Sequence, residues 1–106
     1  MSLILREVLP GLANELEVLL RSDDESELAD QIASLEVVDR CRCDSDSCAT
    51  IYNVQNPERA WGPTHRNIVL EVPEGMTMVD VLDERIVSIE ILDRDEITAQ
   101  VLNLFP

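Results

Sequence analysis

The feature that most constrains the fold lies in residues 67–92, where three short runs, NIVLEV, MTMVDVL and RIVSIEIL, are separated by Pro73-Glu74-Gly75 and by Asp83-Glu84. Runs this short and rich in valine and isoleucine are strand formers, and connections of two or three residues allow only antiparallel pairing of neighbours. The segment therefore predicts a three-strand meander. With a two-residue loop at Asp83-Glu84, strict alternation assigns Met76, Met78, Asp80, Val87, Ile89 and Ile91 to one face, the strongly apolar one expected beneath helices. Val79, Val81 and Ile86, with Thr77, Ser88 and Glu90, fall on the other face. Asp80 and Glu90 are thus expected on opposite faces, and form a carboxylate pair only if the register is displaced by one residue.

Upstream, EVVDRCRC and CATIYNV flank the turn formers DSDS and read as a hairpin, with Cys43 roughly opposite Cys48 and Cys41 roughly opposite Thr50. All three cysteines of the chain, Cys41, Cys43 and Cys48, are expected on one face of it. Three readings are open. As free thiols they pack as small buried hydrophobes. With His65, the sole histidine, they form a Cys3His zinc set, although the spacing lacks the paired C-x2-C knuckles of structural sites. As a redox group, Cys43 and Cys48 bridge across the turn, with Arg40 and Arg42 favouring a thiolate and Asp39, Asp44 and Asp46 opposing it. Asp44 and Asp46 lack the central glycine and terminal glutamate of a calcium loop, so turn chemistry accounts for them.

The remaining segments have helical periodicity. LANELEVLLR places Leu12, Leu16, Leu19 and Leu20 on one stripe, and Pro10-Gly11 separates this helix from any short turn before it. Ser22 followed by Glu25 reads as a capping box opening a second helix with Leu28, Ile32 and Leu35 as its apolar face. Near the C-terminus Ile97, Val101 and Leu104 recur at helical spacing after Asp95 and Glu96, which suit a helix start. The fold class is α+β: an antiparallel sheet of about five strands, hairpin plus meander, with two N-terminal helices and one C-terminal helix on one face. At 106 residues, 1–106 is expected to be a single domain with a mostly aliphatic core.

Charge narrows the partners. There are 22 acidic and 8 basic residues, a formal net of −14, and every cation is an arginine. Such a surface repels phosphate backbones, so no nucleic-acid partner is expected, whereas a protein with a basic surface is attracted. The leucine-rich first twenty residues are interrupted by Arg6, Glu7, Pro10, Glu15 and Glu17, which fits neither a signal peptide nor a membrane span. A cytoplasmic location follows as an expectation, and an odd number of cysteines agrees with reduced thiols. The loop QNPERAWGPTHR is long enough to bind something, and Arg59, Trp61 and His65 are its candidate contact residues. No phosphate loop, nucleophile elbow or complete catalytic set is visible, and His65 near a cysteine lacks the third, orienting group.

The runs RCRCDSDSCATIY, WGPTHRNIVL and DVLDERIVSIEIL together resemble small bacterial proteins of unassigned function. The final hairpin also resembles a short domain of unknown function whose closing strands end in a Gly-Ile-Glu-Ile-Leu-like run, with Ser88 here in place of the glycine. Neither resemblance implies an activity. The expected function is therefore a non-enzymatic protein-binding module, an inhibitor or immunity-like partner of a basic protein, without cofactor. The alternative is a metal-binding or thiol-redox protein, zinc being the implied metal. A homodimer, through an exposed edge strand or through the partly apolar second meander face, Val79, Val81 and Ile86, is a further expectation.

Overall fold

A computed structural model describes residues 2–43, 47–54 and 64–106. The expected α+β class is what the chain forms. Strand β1 (Leu3–Ile4) leads into a one-turn helix α1 (Leu5–Val8), then α2 (Pro10–Ser22) and α3 (Ser26–Gln31) with a 3-10 turn at Ile32–Ser34. Strands β2 (Glu36–Val37), β3 (Asp39–Arg40), β4 (Ile51–Tyr52), β5 (Arg66–Leu70), β6 (Met76–Leu82) and β7 (Arg85–Leu92) follow, and α4 (Asp95–Leu104) closes the chain. The main sheet is antiparallel in the order β3-β4-β7-β6-β5, so the hairpin docks through β4 onto the last strand of the meander. Strand β2 instead pairs with β1 in a separate two-stranded sheet, which the sequence reading missed. Among the described residues no helix is long and apolar enough to cross a membrane.

The helices cover one face of the sheet. Leu5, Leu12, Leu16, Leu20, Leu28 and Ile32 from the N-terminal helices, with Ile97 and Val101 from α4, meet Ile51, Val79, Val81, Ile86, Ile89 and Ile91. Burying aliphatic side chains of this kind is worth roughly 1.5–3 kcal/mol each, which makes this layer the main source of stability. Arg94 fastens the layers at one end: its guanidinium forks onto both Glu15 carboxylate oxygens at 2.6 and 2.9 Å and donates to the buried Thr77 hydroxyl at 2.9 Å. Gln31 fastens the other, accepting from Ile86 N–H and donating to the Glu84 carbonyl beside the β6–β7 turn.

Two expectations are corrected. Ser22 does not open a helix. It ends α2, and SDDE is a helix stop, in which Glu25 N–H bonds the Leu20 carbonyl at 2.8 Å and Asp24 N–H the Arg21 carbonyl at 3.3 Å. Asp24 sits between them at φ 60°, the left-handed residue of a Schellman motif, a position aspartate tolerates better than most side chains. The second correction is the meander register. Leu82 pairs with Arg85 and Val81 with Ile86, as the two-residue turn requires, but Asp80 then pairs with Ser88, so a bulge shifts β7 by one residue. Thr77, Val79, Val81, Ile86, Ile89 and Ile91 consequently share the core face, while Met78, Asp80, Ser88 and Glu90 share the outer one. The proposed dimer face of Val79, Val81 and Ile86 is inside the molecule.

The cause is a parity conflict. On β6 the fully buried aliphatic residues are Val79 and Val81, and on β7 they are Ile89 and Ile91, so both sets are odd. A regular two-residue hairpin pairs odd with even residues across these strands, which would expose one aliphatic set to water. One extra residue, supplied at Ile86-Val87, reconciles the two patterns. Losing a few aliphatic residues from the core costs several kcal/mol on the scale of roughly 1.5–3 kcal/mol per side chain, more than one locally disrupted ladder position.

Two substitutions at left-handed residues should move stability in opposite directions. Asp24→Gly removes the cost of a side chain at φ 60° and is expected to stabilise by up to about 1 kcal/mol. Gly75, at φ 68°, has no room for a side chain because a Cβ would press on the Leu92 and Asp93 carbonyl oxygens. Gly75→Ala should destabilise by about 1–3 kcal/mol. Urea unfolding of both variants measures the pair.

Candidate functional site: a three-thiol cluster beside a carboxylate pair

The site lies on the outer face of the main sheet, away from the helices. Pairing of the β3–β4 hairpin continues beyond its regular strands: Cys41 N–H bonds the Thr50 carbonyl and Ala49 N–H the Ile91 carbonyl, each at 2.8 Å, and Cys48 bridges Leu92. Alternation then decides which side chains go out. Ala49 and Ile51 enter the core, so Cys48, Thr50 and Tyr52 face outward, with Cys41 on the neighbouring strand in phase with them.

The Sγ atoms of Cys41, Cys43 and Cys48 lie within 4.8 Å of one another, and none of the three forms a disulfide. The expected shared face is therefore present, including the proximity of Cys43 and Cys48. Cys41 and Cys48 are half-buried and Cys43 is exposed, which overturns the reading of the trio as core hydrophobes. Burial alone would raise the Cys41 pKa. Hydrogen bonds from the Tyr52 side chain, the Cys43 backbone and the Cys43 and Cys48 thiols outweigh it and hold Cys41 below the ordinary thiol value. The same contact with Cys41, then burial, then the nearby sulfur charges push the Tyr52 phenol far above its usual range, so Tyr52 keeps its proton and donates it to sulfur. Cys48 Sγ also lies 3.4 Å from Thr50 Oγ1, an alternative partner for its single S–H. The arginines expected to favour a thiolate bond main-chain oxygens and a carboxylate: Arg40 binds the Cys41, Phe105 and Pro106 main-chain oxygens, and Arg42 binds Pro106 O and Asp39.

The bulge brings a second group to this face. Asp80, only 1% exposed, accepts from Asn67 Nδ2 and Ser88 Oγ, both at 2.8 Å, and lies 3.1 Å from His65 Nε2. Glu90 stands two residues along β7 from Ser88, and Asn67 also donates to its Oε2 at 3.2 Å. Burial, then the hydrogen bond to Asp80 and the Asp80 charge, raise Glu90 above the usual carboxylate range. Burial works against ionisation of Asp80 as well, but hydrogen bonds from Asn67, Ser88, Glu90 and His65 hold it below that range. The two shifts run in opposite directions, so of the pair it is Glu90 that takes a proton more readily, and that proton is shared with Asp80. The carboxylate pair that required a displaced register is formed, and the expectation of opposite faces is corrected.

A cavity of about 230 Å³ joins the two groups, with Cys41, Cys48 and Tyr52 on one side and Asp80 and Glu90 on the other. His65 belongs to the carboxylate side. Among the described residues, the metal-ligating group contains the three sulfurs alone, so the Cys3His set is not assembled there, and His65 has Asp80 as a partner. Of the other candidates, Arg59 and Trp61, with Asp44 and Asp46 of the turn, lie outside the described residues. Tyr52 escaped the sequence reading because nothing in its run distinguishes an outward phenol beside sulfur from an ordinary strand aromatic. Asp80, a charge inside MTMVDVL, was the available signal for the second group.

The Glu90 shift gives a pH test. A folded-state pKa above the unfolded one contributes stability that is complete below the unfolded value, about 4.3, and is lost as pH rises through the folded one. Glu90→Gln keeps a donor toward Asp80 without titrating, so its stability relative to the parent should improve as pH is raised from about 4 toward neutral. Unfolding midpoints in urea across that range provide the comparison, and a constant difference would contradict the shared proton. No family model, no curated protein and no solved structure matches the chain.

Proposed function

We propose that the protein binds a thiophilic metal ion, zinc being the reference case, through Cys41, Cys43 and Cys48. The observation that carries this reading is the convergence of three cysteine sulfurs, none of them in a disulfide, within 4.8 Å of one another. An ion with metal–sulfur bonds of about 2.3 Å in tetrahedral arrangement needs its sulfurs about 3.8 Å apart, a spacing that small rotations of these side chains supply. A divalent ion displaces the three thiol protons and leaves a complex of charge −1. The Tyr52 hydroxyl, already directed at Cys41, supplies the outer hydrogen bond that orients a ligating sulfur. The net charge of −14 raises the local concentration of cations.

Cadmium titration of the reduced chain should give one ion per chain with an ultraviolet thiolate-to-metal band, and should shield three thiols from an alkylating reagent. Replacing all three cysteines by serine should abolish the band, and Tyr52→Phe should weaken binding roughly tenfold. Three thiols that react equally with and without metal would refute the reading. The charge of −14 supports a second reading, docking to a basic protein, and predicts capture that weakens between low and about 0.5 M salt.

A further inference from the structure

Resting on the metal-binding reading, we infer that an ion on the three cysteines keeps a fourth position open to solutes through the adjoining cavity, and that this position takes a neutral nitrogen or oxygen donor carrying a hydrogen, in preference to an anion. Among the described residues no fourth histidine, cysteine or carboxylate joins the sulfur group, and the sole histidine is committed to Asp80. Three protein ligands with a vacant fourth place is the arrangement of exchangeable zinc sites, whereas four protein ligands make closed ones.

The cavity decides where that place leads. Cys41 and Cys48 form part of its wall, and its volume of about 230 Å³ is several times the ~30 Å³ of a water molecule in the liquid, enough for a small planar ligand. Its chemistry decides what enters. Three thiolates leave a divalent ion with net charge −1, Asp80 adds a carboxylate to the cavity lining, and the whole chain is acidic, so an entering anion meets like charge. The carboxyl oxygens of that lining accept hydrogen bonds, which favours a ligand with a metal-binding lone pair at one end and an N–H or O–H at the other. Neutral imidazole has this form.

The test uses the reduced, full-length chain loaded with cobalt(II), whose visible bands report the fourth ligand. Addition of imidazole should shift these bands saturably while the cobalt–thiolate charge-transfer band persists, and azide should need at least tenfold higher concentration for half-saturation. Glu90→Phe, which narrows the cavity, should abolish the imidazole shift without changing the spectrum of the cobalt-loaded chain alone. Should that variant not fold, Leu92→Phe on the same wall serves the same purpose. Absence of any cobalt–thiolate band would remove the metal-binding reading itself. A thiolate band with d–d bands unmoved by imidazole would overturn only the open position, showing that the chain supplies the fourth ligand. Azide binding as tightly as imidazole, or an imidazole shift that survives in the folded narrowed variant, would overturn the proposed selectivity and route.

Discussion

The single displaced residue between β6 and β7 is the constraint on which the rest depends. The turn at Asp83-Glu84 starts the hairpin in one phase, with both residues in the left-handed conformation that a tight turn of this kind requires. The aliphatic pattern of the two strands demands the other phase. The bulge satisfies both, and in doing so it sends Ile86, Ile89 and Ile91 to the helices and Ser88 and Glu90 to the outside beside Asp80. Without it, either the core would lose an aliphatic row or Asp80 would face the leucines of α2 with no partner, and an unpaired buried carboxylate is far costlier than a local break in a ladder.

The outer face inherits its character from that choice. Because β4 pairs with β7, the row Tyr52, Ser88, Asp80 and Asn67 runs continuously across four strands, and Thr50 stands beside Glu90. The sulfurs sit at one end of this polar surface and His65 with Asp80 at another. A thiol cluster and a hydrogen-bonded carboxylate pair thus face one cavity although they come from separate hairpins. Tyr52 connects the two functions of the face: its ring helps to wall the cavity, and its hydroxyl stabilises negative charge on Cys41.

Much of this was legible beforehand. Tight turns at Gly75 and Asp83-Glu84, helical stripes of leucine and the hairpin around DSDS led to the correct class and to the approach of Cys43 and Cys48. The errors share one origin. SDDE looked like a helix start because acidic residues suit that place, yet the same short polar residues also tolerate the left-handed position that ends a helix, and only the packing of Leu20 and Leu28 into one core selects between these uses. The hairpin strands were overextended because Glu36–Val37 runs on into Asp39–Arg40 with one residue between them, yet finds its partner in Leu3–Ile4, a contact no local rule anticipates.

By itself the sequence determined the local alphabet of this protein: which segments extend, which coil, where they turn, and that three thiols must be neighbours, since a hairpin of known loop places them so. These follow from periodicity and short-range geometry. Tertiary structure alone decided which face each strand buries, that Asp80 and Glu90 meet, and that His65 joins the carboxylates instead of the sulfurs. Those outcomes depend on a competition between turn phase and core burial, and on which strand docks beside β7, and both are settled by contacts between residues distant in the chain.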